Sequence, residues 1–198
     1  AEYHLSECQR LQGGVSEPLR LECDMLRAQR GEIDEMAGAL QPYVAKGGPE
    51  GLLMLEALSQ GCLYTYRLPR ALSYLQIWLE RQPDNIRGLR YRGWVLERLH
   101  NFTEAAADYR RLVKLRPEDD QARLDLAEVL VRAHNVPEAV GHYEQLLQRQ
   151  PGNPEALVGL ARCRAELGEA EEARRLLDRL LGEHPDYVPA LTERGRLA

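Results

Sequence analysis

The sequence predicts an all-α array of antiparallel helix pairs, each stacked on the next. Three observations predict it. Prolines stand at Pro49, Pro83, Pro117, Pro151 and Pro185, each 34 residues after the last. Alanines at Ala37, Ala71, Ala105, Ala139 and Ala173 keep the same interval, twelve residues ahead of each proline. Between successive prolines, apolar residues recur at helical spacing in two stretches separated by a short polar turn. A unit copied at a fixed period of this length buries its apolar face only against its own copies.

With the proline at repeat position 32, five repeats run 18–51, 52–85, 86–119, 120–153 and 154–187. Residues 1–17 read as the second helix of a preceding repeat plus a loop, and 188–198 as the first helix of a partial sixth repeat or cap. The whole chain is therefore expected to be a single array. In the third repeat the pattern predicts helices over about 87–99 and 103–115, joined at His100-Asn101. Pro117 closes the second, because a ring without an N–H does not continue a helix. Arg30-Gly31, His134-Asn135 and Leu167-Gly168 mark the same bend in other repeats, and Pro83-Asp84-Asn85, Pro117-Glu118-Asp119 and Pro151-Gly152-Asn153 link one repeat to the next.

Fixed rows predict the core. Repeat position 8 holds Met25, Ser59, Gly93, Ala127, Ala161 and Gly195, and position 20 is always Ala, so neighbouring helices approach closely there. Position 24 carries Leu75, Tyr109, Tyr143 and Leu177, and position 27 carries Val44, Trp78, Leu112, Leu146 and Leu180. These rows read as packing, including their aromatic members. The first repeat is the weakest, with Met25, Gln41 and a Pro42 inside its second helix.

Composition bounds the function. The 198 residues carry 26 Lys and Arg against 31 Asp and Glu, a net charge of −5, which disfavours a general binder of phosphate backbones. Only Lys46 and Lys114 are lysines, and the arginines are spread along the chain, a compositional trait more than a recognition patch. Cys8, Cys23, Cys62 and Cys163 form no CxxC pair and read as small buried hydrophobes, a Cys8–Cys23 disulfide being the minor alternative. No secretory leader, basic targeting segment or apolar run of membrane length stands in the sequence. The chain opens on what reads as a helix under way, as expected of a fragment of a longer protein. The compartment stays open on this reading, with the cytoplasm favoured.

Chemistry is sparse. No HExxH, GxSxG, phosphate loop or GxGxxG is present. His100 and His134 share the turn position and His184 precedes a proline; they read as polar turn residues, with no metal role. Glu169, Glu171 and Glu172 open a helix, where carboxylates favour the dipole. No enzyme activity, metal or cofactor is expected.

The repeat pattern resembles the tetratricopeptide repeat family, whose signature is W-x2-L-G-x2-Y, then A-x3-F, then P. Repeat 86–119 supplies Leu89, Gly93, Leu96, Ala105, Tyr109 and Pro117. Repeat 120–153 supplies Leu126, Ala127, Leu130, Ala139, Tyr143 and Pro151, and repeat 154–187 supplies Leu157, Leu160, Ala161, Ala173, Leu177 and Pro185. The resemblance implies a right-handed superhelical α-solenoid whose first helices line a concave, peptide-binding face. Carried over position by position, that face offers Gln60, Tyr64, Arg87, Arg90, Trp94, Arg98, Glu128, Arg132 and Arg162. Arg90, Trp94 and Arg98 share one helical face. With Tyr64 and Arg132 they suit a peptide bearing acidic groups. The alternative at these positions is that Trp94 packs between helices while the arginines pair with Glu97 and Glu128.

The carboxylate clamp of chaperone-binding members is not matched: Arg90 and Trp94 stand at its Lys and Asn positions, and Asp125 where its next Asn belongs. The expected function is a scaffold for a protein or peptide partner, possible self-association through the terminal helices being a structural alternative. A recruiting arm of a larger enzyme is a third reading, and nucleic acid is the least favoured partner.

Overall fold

The structure, a computed structural model, describes residues 17–197 and divides into two compact units, one ending at Leu99 and the other beginning at His100. The readings placed on Cys8 and on the first sixteen residues lie outside the described residues. All regular structure among the described residues is α-helical.

The N-terminal unit holds α1 (Glu17–Gln29), α2 (Ile33–Lys46), α3 (Gly48–Tyr64), α4 (Leu68–Arg81) and α5 (Ile86–Arg98). Each helix packs on the next, and α1 also packs directly on α3. The core runs through Leu40, Met54, Leu58, Leu75, Trp78 and Val95, all buried. The C-terminal unit holds α6 (Phe102–Leu115), α7 (Asp120–Arg132), α8 (Val136–Arg149), α9 (Pro154–Glu166), α10 (Ala170–Glu183) and α11 (Val188–Arg196). Here too neighbours pack in order, while α9 also touches α7 and α11. Tyr109, Tyr143, Leu112, Leu146, Leu177 and Leu180 are buried, so the aromatic members of the position 24 row are core. Burial of side chains of this size contributes about 1.5–3 kcal/mol each. At the C-terminal end, Leu191 is 47% exposed and Val188 68%.

Local sequence explains where helices start and stop. Asn85, Asp119 and Asn153 occupy one repeat position, and each side chain accepts from the backbone N–H three residues on: Gly88, Ala122 and Ala156. Such N-caps are worth about 1 kcal/mol each. The bend inside a repeat is a left-handed residue at the C-terminus of the first helix: Tyr66 (φ 58°), His100 (62°), His134 (59°) or Gly168 (84°). After it the next N–H reaches back to close the helix, as Asn135 N–H does to the Leu130 carbonyl at 2.8 Å. Pro83, Pro117, Pro151 and Pro185 lie just beyond the ends of α4, α6, α8 and α10.

The first repeat departs from the others. Its left-handed residue is Gly31 (φ 101°), one repeat position early. Consequently α2 starts one position early, and its buried row is Ile33, Met36, Leu40 and Val44. The expectation that the position 20 alanine is the close-packing residue therefore fails at Ala37, which is only half-buried while Met36 takes its place. Gly47 (φ 77°) and Gly48 (φ 70°) then restart the chain directly into α3. Pro49 opens α3 rather than closing α2; in the first turn a proline forfeits no helical hydrogen bond. Pro42 sits inside α2, and the helix runs through it.

Candidate functional site

In the N-terminal unit, α3 and α5 present the predicted site residues. Arg87 forms an ion pair with Glu56, and Gln60 Nε2 donates to the same carboxylate at 3.2 Å. The Gln60 amide also lies 3.5 Å from the Tyr91 hydroxyl. Arg87, Arg90 and Tyr91 line a shallow depression of about 730 Å³ with Glu56, Trp78 and Asp84. Its charge is mixed, so it is not a simple basic patch.

Two turns further along α5, Trp94 is half-buried against the core of this unit. The Arg98 guanidinium lies over its ring, 5.1 Å from the centroid. The ring that meets Trp94 edge-on is Tyr66, at 6.4 Å and 88°. Tyr64 is 78% exposed, and its ring lies beside Gly31, at the turn of the first repeat. Tyr66 was not among the residues the sequence suggested. Its signal was present: a large ring at the turn position that holds His100, His134 or Gly168 in later repeats.

In the C-terminal unit Glu128 and Arg162 are exposed on α7 and α9, and Arg162 Nε lies 3.5 Å from Glu193 on α11. Arg132, at the end of α7, lies over the Phe102 ring, 4.5 Å from its centroid. The predicted set thus forms local clusters: Arg87 with Gln60, Arg98 on Trp94, and Arg132 on Phe102.

Burial and helix-to-helix pairing shift several titratable groups. Burial raises the Cys62 thiol and pushes that of Cys163 up to about 11, leaving both as unreactive thiols. Burial, then Arg123, pushes His142 down. Hydrogen bonds from Arg67 and Arg70 hold the Asp34 carboxyl low, tying the start of α2 to the start of α4. Among the described residues no three His, Cys, Asp or Glu side chains gather to hold a metal ion, and no helix is long and apolar enough to cross a membrane.

Comparison with known proteins agrees with the architecture. Two family models, both described as tetratricopeptide repeat, match: one over residues 130–193, the other over 63–120 and 92–154. No curated protein sequence matches. Among solved structures the chain is similar to YrrB, described as a TPR protein with an unusual peptide-binding site. The TM-score is 0.77 at 17% identity, covering 96% of this chain and 97% of that one. It is also similar to a tetratricopeptide repeat protein from Parabacteroides merdae ATCC 43184, with TM-score 0.75, 21% identity, and 89% and 70% of the two chains covered. A MamA from Desulfovibrio magneticus RS-1 matches with TM-score 0.67 at 20% identity, over 74% of this chain and 82% of that one. At these identities the likeness is one of fold.

Proposed function

Because this chain belongs to the tetratricopeptide repeat family, whose members are generally interaction scaffolds, we propose that it binds a peptide segment of a partner protein along the first-helix face. The observation that carries this reading is on α5. Trp94 is half-buried where it touches the core, with Tyr66 edge-on and the Arg98 guanidinium over its ring. Two rings and a guanidinium held together are a hot-spot composition: large contact area, little side-chain entropy to lose, and a planar donor fork. Arg87 and Arg90 extend the surface along the same helix. The mixture with Glu56 and Asp84 favours a peptide with both acidic and apolar positions over a uniformly acidic one. The peptide-binding description of YrrB belongs to that protein; here it supports the choice of ligand class.

The test is selection of displayed peptides on the immobilised chain, followed by affinity measurement with Trp94→Ala combined with Arg90→Ala. Selected peptides should bind the double variant at least about tenfold more weakly, a loss near 1.4 kcal/mol, at unchanged helical content by circular dichroism. Equal affinity for both proteins would sink the reading. A large fall in melting temperature with no effect on residual binding would assign Trp94 to packing alone.

A further inference from the structure

At the start of the N-terminal unit, α1, α2 and α3 line a groove of about 550 Å³ that has no residue in common with the depression at α5. Its buried and half-buried positions are apolar: Leu21 and Met25 of α1, Tyr43 of α2 and Met54 of α3. Pro18 and Leu53 add exposed apolar surface, Leu53 being 50% exposed. Only Gly47 separates α2 from α3, whereas residues 82–85 separate α4 from α5. The end of one helix and the start of the next therefore stand on the same rim, as Lys46 and Glu50.

The charged side chains of the lining, Glu17, Glu22, Glu50 and Lys46, all stand at exposed positions. Three carboxylates against one ammonium leave the rim negative. Glu17 accepts from the Tyr43 hydroxyl at 2.9 Å, which links α1 to α2. Glu22 and Glu50 enter no ion pair among the described residues. The depression at α5 differs, since Glu56 and Asp84 there balance Arg87 and Arg90. Leu53 also departs from its own row. Arg87, Gln121 and Glu155 hold that repeat position in the next three repeats, all of them polar.

We infer that this groove is a second binding site, which takes an apolar side chain flanked by Lys or Arg in a basic segment of a partner protein. The apolar lining supplies the affinity, because an anchor seated against Leu21, Leu53 and the two methionines leaves water. Met25 and Met54 are unbranched thioethers and adapt to the shape of the anchor. The rim carboxylates meet the flanking cations, which sets the orientation of the segment and speeds encounter more than it adds affinity. Lys46 opposes such a ligand, so its removal acts in the opposite direction from removal of Glu22 or Glu50. The same rim disfavours other occupants. Its negative charge repels nucleic acid and anionic membrane surfaces. Residues 1–16 carry Glu2 and Glu7 against Arg10, and the whole chain carries −5, so neither that segment nor a second copy brings net positive charge.

The test uses the full chain and fluorescence anisotropy with a labelled ten-residue peptide, two leucines between two pairs of lysines on a glycine–serine background. One control peptide has serine for the leucines, and the other has glutamate for the lysines. The first peptide should bind about tenfold more tightly than either control, and more weakly as salt is raised. Leu53→Ser should weaken its binding about fivefold, and Glu22→Gln combined with Glu50→Gln by about the same factor, both at unchanged melting temperature. Lys46→Gln should tighten binding about twofold, a sign that a merely structural role for the rim does not produce. Equal affinity for the leucine and serine peptides overturns the inference, as does equal affinity of wild type and Leu53→Ser. Loss confined to the Trp94→Ala, Arg90→Ala variant also overturns it, while leaving the α5 reading intact. Binding that appears only after Tyr3→Ser, Leu5→Ser and Leu11→Ser would give the groove to the first residues of the chain itself. A dimer in sedimentation that Leu53→Asp dissociates would give it to a second copy, and either result overturns the assignment to a basic partner.

Discussion

The first repeat and the fourth have the same period but turn one residue apart, and that offset changes which side chains are core. In the fourth, the chain bends at His134, α8 follows, and Val136, Ala139, Tyr143 and Leu146 are buried. In the first it bends at Gly31, and Ile33, Met36, Leu40 and Val44 are buried instead, each but the last one repeat position early. One residue is about 100° of rotation on a helix. The left-handed turn sets the register of the helix after it. The periodic alanine follows that register and does not impose it.

The largest effect should come where the early turn brings backbones together. A Cβ on Gly61 of α3 would lie 1.8 Å from the Ala28 carbonyl oxygen and 2.5 Å from Ile33 Cδ1. On Gly159 of α9 it would lie 2.3 Å from the Tyr143 ring. Backbone at a helix end yields less than a side chain, so Gly61→Ala should destabilise by about 3 kcal/mol or more and Gly159→Ala by about 2, despite the gain in helix propensity. Chemical denaturation of the two variants checks the order; equal losses would mean that the α1 terminus relaxes as freely as a ring.

A second pair tests the register itself. Ala139 is fully buried, whereas Ala37, at the same repeat position, is not. Ala139→Leu should cost about 3 kcal/mol by overpacking, and Ala37→Leu under about 1. Comparable costs in thermal melts would show that the first repeat shares the register of the others.

Much of this was legible in the sequence because a fixed period samples the same environment repeatedly. Tyr109 and Tyr143 could be assigned to the core from their row alone, and the helices expected over 87–99 and 103–115 are observed at Ile86–Arg98 and Phe102–Leu115. What was not legible depends on single-residue geometry. Whether Tyr64 or Tyr66 meets Trp94 turns on which residue takes positive φ, and neither tyrosine is an obvious choice for it. Likewise Pro49 carries the periodic signal of a helix stop yet opens α3, because two preceding glycines change the path of the chain. The rings that complete the clusters at Trp94 and Arg132, Tyr66 and Phe102, lie beyond the first-helix positions that the family resemblance supplies.

The smallest effect returns to the turn. His134 holds φ 59°, a conformation that costs an L-residue about 1–2 kcal/mol, part of which a glycine gives back as unfolded-state entropy. His134→Gly should therefore stabilise the fold by about 0.5–1 kcal/mol, giving the fourth repeat the residue that the fifth already has at Gly168. Gly31→Ala should do the reverse: its φ of 101° suits no side chain, and a Cβ would meet Thr65 Cγ2 at 2.5 Å. Paired melts of the two variants separate the explanations. If His134→Gly is neutral or harmful, the imidazole makes a contact that outweighs the backbone strain. If it stabilises while Gly31→Ala destabilises, His134 occupies a strained backbone position, and at Gly31 the positive φ and the contact with Thr65 act in the same direction.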